Sequence, residues 1–315
     1  MQSNLWQLAF AWLLMLLISL TGPAWGQTWP VKEIHVIVPS LEGAHISGRF
    51  VRGSAAQNTI FLAQKLGTTL GQSVVPQYIP GSFGSVGTKA AINRPPDGYT
   101  FLYGDVNTII LPRAFDDRIG YDPLKDLVPV VQLGVDPYCV VVNSTSGAKS
   151  VKALVEQSRT KGEPIRFASP FNGSTSHLYA EMLARAAGIQ MVHVTENKGL
   201  VAFALSAIRE NRADAMFDRC SSPGRDRGGS FVSLAATGPE RSQYFSNVPT
   251  LGEEGYSVDV IQWIGIFAPA NTPKEIVGRM AFESSKVANS SDGRDYFRGA
   301  GIVATGITSE KFHAI

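Results

Sequence analysis

The sequence predicts an α/β protein built as two lobes around a cleft. Short apolar runs alternate with helix-period segments, the order that produces a mainly parallel, open sheet. The alternation restarts near Val128, and Phe231–Thr237 then turns the chain back toward the first unit. With 315 residues there is room for about two domains of ~150 residues, each with a core that needs no metal or disulfide staple. The first lobe is expected over residues 27–127 plus 240–315, and the second over 128–239.

Taken in order, Ile34–Val38 is an apolar strand stopped by Pro39. Gln57–Leu70 sets Ile60, Phe61, Ala63, Leu66 and Leu70 near helical spacing. Val74–Tyr78 reads as a strand, and the Gly-rich loop Pro80–Gly87 leads into a helix near Thr88–Asn93. The turn Pro96-Asp97-Gly98 opens a strand at Thr100–Tyr103. In the second unit, Val128–Leu133 and Tyr138–Val142 read as strands, and Ser150–Thr160 as a helix with Ser150 as its N-cap. Ile165–Ser169 is a strand, and Asn172–His177 opens a helix running to about Ala187. Met191–Val194 is a strand, Val201–Glu210 a helix and Ala215–Phe217 a strand. Lys274–Ala288 is the last clear helix.

Residues 1–26 read as a leader. Leu8–Leu20 is almost wholly apolar but shorter than the ~20 residues of a membrane span. Thr21-Gly22-Pro23 breaks it, and Ala24-Trp25-Gly26 offers small residues where a signal peptidase reads. Cleavage is expected after Gly26, giving an exported, periplasmic chain that begins at Gln27. Met1–Gln7 carries no Lys or Arg, which also fits an uncleaved anchor or a buried first helix. Cys139 and Cys220 suit an oxidising compartment if they pair, and two unpaired thiols fit the sequence equally well.

Lys+Arg 28 against Asp+Glu 26 leaves a net charge of +2, no footprint for nucleic acid. There is no G-x-S-x-G elbow, no H-E-x-x-H and no phosphate loop. The five histidines lack metal-ligand spacing, and His193 alternates with Val192 and Val194 as on one face of a strand. Neither a metal nor a cofactor is expected. The informative segment is Ser169–His177, which follows a strand and opens a helix. Free helix-start amides and their partial positive charge favour an anion, although plain N-capping by Ser174 or Thr175 would use the same residues. Pro80–Gly87 offers similar geometry, but its Gly-x-x-Gly-x-x-Gly run is not a dinucleotide fingerprint. Asp218 ends a strand, where α/β proteins bind ligands. There it would choose among ligands, or else be solvated or paired with Arg219.

Taken together, these segments resemble the Bug family, periplasmic receptors associated with tripartite tricarboxylate transporters. The likeness runs from Trp29 to Phe312. It is carried by Trp29-Pro30-Val31-Lys32, the Pro80–Gly87 loop, Pro96-Asp97-Gly98-Tyr99-Thr100, Tyr121-Asp122-Pro123-Leu124-Lys125-Asp126, Asn172–Leu178, Asp214–Asp218, Val248-Pro249-Thr250-Leu251, Trp263-Ile264-Gly265 and Ala268–Lys274. The resemblance implies a periplasmic-binding-protein type II-like Venus flytrap, a monomer that closes on a small organic (di)carboxylate and delivers it to a tripartite transporter or a sensor. By the same resemblance, Ser169, Asn172, Gly173, Ser174, Thr175 and His177 hold the acid, with Asp105, Asn107 and Thr108 after the third strand and Asp218 facing the cleft.

The sequence departs from the family pattern at Leu41–Gly53, an insertion, at Thr195–Gly199, where a Tyr-containing turn is lost, and at Arg219–Gly229, polar where relatives have an apolar helix. The family's further C-terminal helix does not follow Ile315. These changes admit a second reading, a family member that has lost binding. A third, a secreted hydrolase using Ser174 or Ser176 with His177 and Asp218, is opposed by geometry, since adjacent helix residues do not face each other.

Overall fold

The computed structural model describes residues 29–314 except 47–48, 195–200, 222–228 and 259. The described residues from Lys32 onward form one compact unit. The expected leader and its cleavage point lie outside the described residues, as does the Thr195–Gly199 turn.

Two mixed sheets organise the larger unit. The first contains β1 (Ile34–Val38), β4 (Val74–Tyr78), β5 (Thr100–Asp105), β6 (Leu127–Asp136), β12 (Gln262–Pro269) and β13 (Val303–Thr308), in the order β13-β6-β12-β5-β1-β4. The second contains β7 (Tyr138–Asn143), β8 (Ile165–Ala168), β9 (Met191–Val194), β10 (Ala215–Arg219) and β11 (Phe231–Ala236), in the order β11-β7-β10-β8-β9. Helices pack on these sheets and give each lobe its own apolar core. Ile37, Leu102, Ile109 and Phe267 meet in the first, and Val140, Phe167, Tyr179, Leu183 and Phe217 in the second.

The expectation of mainly parallel sheets needs correction. β4, β1 and β5 run parallel, as do β9, β8 and β10, but the neighbouring pairs β5–β12, β12–β6 and β6–β13 are antiparallel, and so are β10–β7 and β7–β11. The lobe boundaries also move. β6, expected at the start of the second lobe, lies in the first sheet between β12 and β13. Pro137 alone joins it to β7 in the other sheet. Leu251 and Val258, expected in the first lobe, pack in the second lobe's core with Phe217 and Leu234. An apolar run shows that a strand is buried, not which sheet buries it.

Local signals explain most elements. Ser150 caps the helix Val151–Lys161, its Oγ accepting from Ala153 N at 3.0 Å. The Leu41–Gly53 insertion forms a hairpin of β2 (Gly43–Ile46) and β3 (Arg49–Arg52). Cys139 and Cys220, both buried, form a disulfide that ties β7 to the residue following β10.

Candidate functional site

β1, β4 and β5 are parallel, so their carboxyl ends share one edge of the first sheet, and β8 and β9 do the same in the second. Loops leaving these ends converge on a cavity of about 990 Å³ between the lobes. Carboxyl ends of parallel strands are where open α/β sheets receive ligands. The first lobe contributes Pro39 and Ser40, the Pro80–Ser85 loop, Asn107, Thr108 and a segment from Leu111 to Ile119. The second contributes Phe171, Asn172, Gly173, His177 and His193.

Each loop is fixed locally. Asp105 and Thr108 cap the turn after β5 reciprocally: Asp105 Oδ1 accepts from Thr108 N at 2.9 Å, and Thr108 Oγ1 accepts from Asp105 N at 3.1 Å. Burial raises the pKa of Asp105, and the Thr108 hydrogen bonds oppose that rise. Gly84, at φ 93°, lets the Pro80–Ser85 loop close on Thr108, where a Cβ would lie 2.7 Å from Thr108 Cγ2.

The helix Thr175–Ala187 begins with Ser174 as its N-cap, Oγ accepting from His177 N at 3.2 Å. Across the cleft, Thr175 donates both its N–H (3.2 Å) and its hydroxyl (2.6 Å) to Asn107 Oδ1. Gly173 N donates to His177 Nδ1 at 2.9 Å, which leaves Nε2 as the ring nitrogen facing Glu181, 3.5 Å away. Ser169 Oγ donates to the Phe171 carbonyl at 2.9 Å and lies 2.7 Å from His193 Nε2. The rings of His193, Phe167 and His177 meet pairwise, with His193 4.8 Å from Phe167 and 4.3 Å from His177, and Phe167 5.5 Å from His177. Burial, with His177 beside it, pushes the His193 pKa down to about 4, so the ring is neutral at physiological pH.

Of the ten residues expected at the site, Asn107, Thr108, Asn172, Gly173 and His177 line the cavity. Asp105, Ser169, Ser174 and Thr175 hydrogen-bond residues of its wall or of the loops behind it. Asp218 is not among the lining residues; it is buried near the lobe junction, where Asp218 Oδ1 accepts from Arg219 N at 2.9 Å. Arg219 also meets Asp136 at the end of β6 and donates to Ala300 O at 3.0 Å, linking the two lobes. The hydroxyls that a hydrolase would need have backbone partners. Ser176 Oγ donates to the Phe217 carbonyl, and Ser174 Oγ caps its own helix.

A sequence model described as the tripartite tricarboxylate transporter family receptor matches residues 60–297. The chain belongs to this family. Among its relatives is Protein BugT of Bordetella pertussis, 29% identical over 266 residues, covering 82% of this chain and 77% of BugT. Another is the UPF0065 protein in the tcbD-tcbE intergenic region of Pseudomonas sp. (strain P51), 29% identical over 281 residues, covering 88% of this chain and 80% of the other. A solved structure of R. palustris Rpa4515 with adipate has a TM-score of 0.74 at 25% identity, covering 91% of this chain and 93% of that one. The receptor is thus a Bug-type solute-binding protein with the Venus-flytrap fold. One side of the cleft is aromatic: Phe83, Phe115 and Phe171 line the cavity, a convergence the sequence pattern does not predict. The available signal was a phenylalanine inside a Gly/Ser-rich loop, where small residues prevail.

Among the described residues, no group of three or more His, Cys, Asp or Glu is placed to hold a metal. Among the same residues, no helix is long and apolar enough to cross a membrane.

Proposed function

We propose that this receptor captures a small organic acid in its interlobe cleft and delivers it to a tripartite-type transporter or a sensor, as a periplasmic monomer released from its leader after Gly26. The carrying observation is the cavity itself. It lies at the carboxyl ends of parallel strands from both lobes, is lined by Asn107, Thr108, Asn172, Gly173 and His177, and is bridged by the Thr175–Asn107 hydrogen bonds. Ser40 Oγ is buried on the cavity wall without a hydrogen-bond partner among the described residues. A buried hydroxyl of that kind needs a polar partner, either an ordered water or a ligand atom. With Oδ1 committed to Thr175, Asn107 keeps two N–H donors. The relative solved with adipate supports an acid as the ligand class.

Calorimetric titration of the chain from Gln27 with mono-, di- and tricarboxylates tests the proposal. Binding of at least one acid at micromolar concentration is expected. Absence of binding across the panel overturns the proposal and favours a member that has lost its ligand. N-terminal sequencing of exported protein tests the leader; material still beginning at Met1 rules out cleavage after Gly26.

A further inference from the structure

We propose that the cleft selects a monocarboxylate with a bulky apolar body, an aryl-substituted alkanoate, over di- and tricarboxylates. The inference rests on the receptor reading above and concerns the shape and charge of the acid.

Three phenylalanines from three segments converge on the cavity. Phe83, in the first lobe, stacks on Phe171 of the second at a centroid distance of 5.0 Å and an interplanar angle of 30°. Phe115 lies against Gly173, where a Cβ would come within 3.1 Å of the ring. Phe83 and Phe115 are 63% and 62% exposed, although a phenylalanine gains most by full burial. Phe83 is also held at φ 55° and ψ 30°, with Ser82 before it at φ 42°. The left-handed region is costly for a residue with a Cβ, and bulky residues found there cluster where a ligand or switch is served. A strained, exposed ring that meets the other lobe across a cavity presents apolar surface to whatever the cavity holds.

Charge points the same way. Among the described residues, the cavity wall carries no lysine or arginine. Of the two histidines on the wall, His193 is neutral, for the reasons given above, and His177 lies 3.5 Å from the Glu181 carboxylate. The wall does carry Asp116, whose carboxylate accepts from Arg118 N at 2.9 Å and Arg118 Nε at 3.1 Å. Those hydrogen bonds hold its pKa below the usual carboxylate range, so it stays ionised. One carboxylate can be met by Ser40, Asn107 and Asn172. Among the described residues, a second would be desolvated with no lysine or arginine lining the wall, and it would meet Asp116, whose charge Arg118 only partly offsets. The volume of about 990 Å³ stands at the upper end of small-molecule sites (~300–1,000 Å³) and leaves room for a ring.

The test is calorimetric titration of the whole receptor with 4-phenylbutyrate, adipate and citrate. Phenylbutyrate should bind at least tenfold tighter than adipate, and citrate more weakly still. Phe171→Ala should weaken phenylbutyrate tenfold or more and adipate less than threefold. Phe83→Gly should also weaken phenylbutyrate, without a drop in melting temperature, because glycine relieves the left-handed backbone. That variant separates loss of the aromatic wall from loss of fold. Adipate binding as tightly as phenylbutyrate, or Phe171→Ala weakening both alike, overturns this inference and leaves the receptor reading standing. No binding by any of the three acids overturns both.

Discussion

Asn107→Ala should weaken ligand binding while leaving the fold intact. In the structure, Asn107 Oδ1 takes two donors from Thr175 on the facing lobe, at 3.2 and 2.6 Å. Thr175 is 1% exposed, so the pair is shielded from water. When the lobes part, water replaces Asn107 as partner, so only the net worth of each bond is lost, ~0.5–1.5 kcal/mol. Two bonds give about 2 kcal/mol in favour of the closed form. At ~1.4 kcal/mol per tenfold, that is roughly a 30-fold rise in apparent Kd for an acid that binds the closed form. Calorimetry with the tightest acid of the panel reads this directly, and small-angle scattering should show a more open average shape. The melting temperature should change little, because Asn107 belongs to neither lobe's core. Thr175→Val removes part of the same contact, so the double variant should be no more than threefold worse than Asn107→Ala alone. Affinity within threefold of the parent, or fully additive losses, would refute the reasoning.

Three further outcomes are expected. The Cys139–Cys220 bond closes a sequence separation of 81 residues, which in the loop-entropy picture restricts the unfolded chain by about 4–5 kcal/mol; urea unfolding of a Cys139→Ala/Cys220→Ala variant should lose stability on that scale, and a loss under ~1 kcal/mol would contradict it. Burial, opposed by Arg219, pushes the Asp136 pKa up to about 7, so folding takes up a proton there. The contribution of Asp136 to stability is therefore full below its ordinary carboxylate range and fades as pH rises through 7. His193, shifted down, produces the opposite trend, losing stability as pH falls from its ordinary value toward 4. The melting-temperature difference between parent and Asp136→Asn should accordingly shift against the parent from pH 5 to pH 8; a difference that moves the other way would sink this assignment. Finally, Ser174→Ala should cost about 1 kcal/mol of stability through the lost cap, whereas Ser174→Gly should cost only a few tenths, both read from thermal melts.

Much of the fold was legible because local chemistry decides it. Val140–Val142 can only be a buried strand, and Ser150 and Ser174 cap helices where their sequence positions indicate. What escaped is set by distant partners. β12 carries Gly265 at its centre, which weakens a strand signal, yet that gap admits the Phe312 ring, 2.7 Å from where a Cβ would stand. β6 could be recognised as a strand but not assigned to a sheet, since its neighbours β12 and β13 come more than a hundred residues later. The site shows the same divide. Asn172, Gly173 and His177 follow a strand end and open a helix, so the rule that ligands meet such ends located them, whereas Asn107 and Thr108 came from the family resemblance. The sequence places Asp218 at the end of a strand, but β10 continues to Arg219 between β7 and β8, and Asp218 sits opposite Cys139 in the sheet rather than on the cavity wall. The convergence of Phe83, Phe115 and Phe171 depends on a positive φ and on two lobes meeting, neither of which composition reveals.

The one-residue link at Pro137 also fixes the order in which the two halves can be completed. Asp136 and Gln262 are paired neighbours, so the chain leaves the first lobe and re-enters it at adjacent points, and the second lobe is an insertion between them. As the polypeptide is made from its N-terminus, the second lobe has all its strands by Ala236 and its last core side chain by Val258. The first lobe, begun earlier, must wait. Until β12 and β13 arrive, β6 has neither of its partners, and an apolar strand with both edges open is a pairing hazard. Residues 262–308 therefore close a sheet whose first strand was made more than two hundred residues before, and damage to that segment is felt in the lobe that starts the chain.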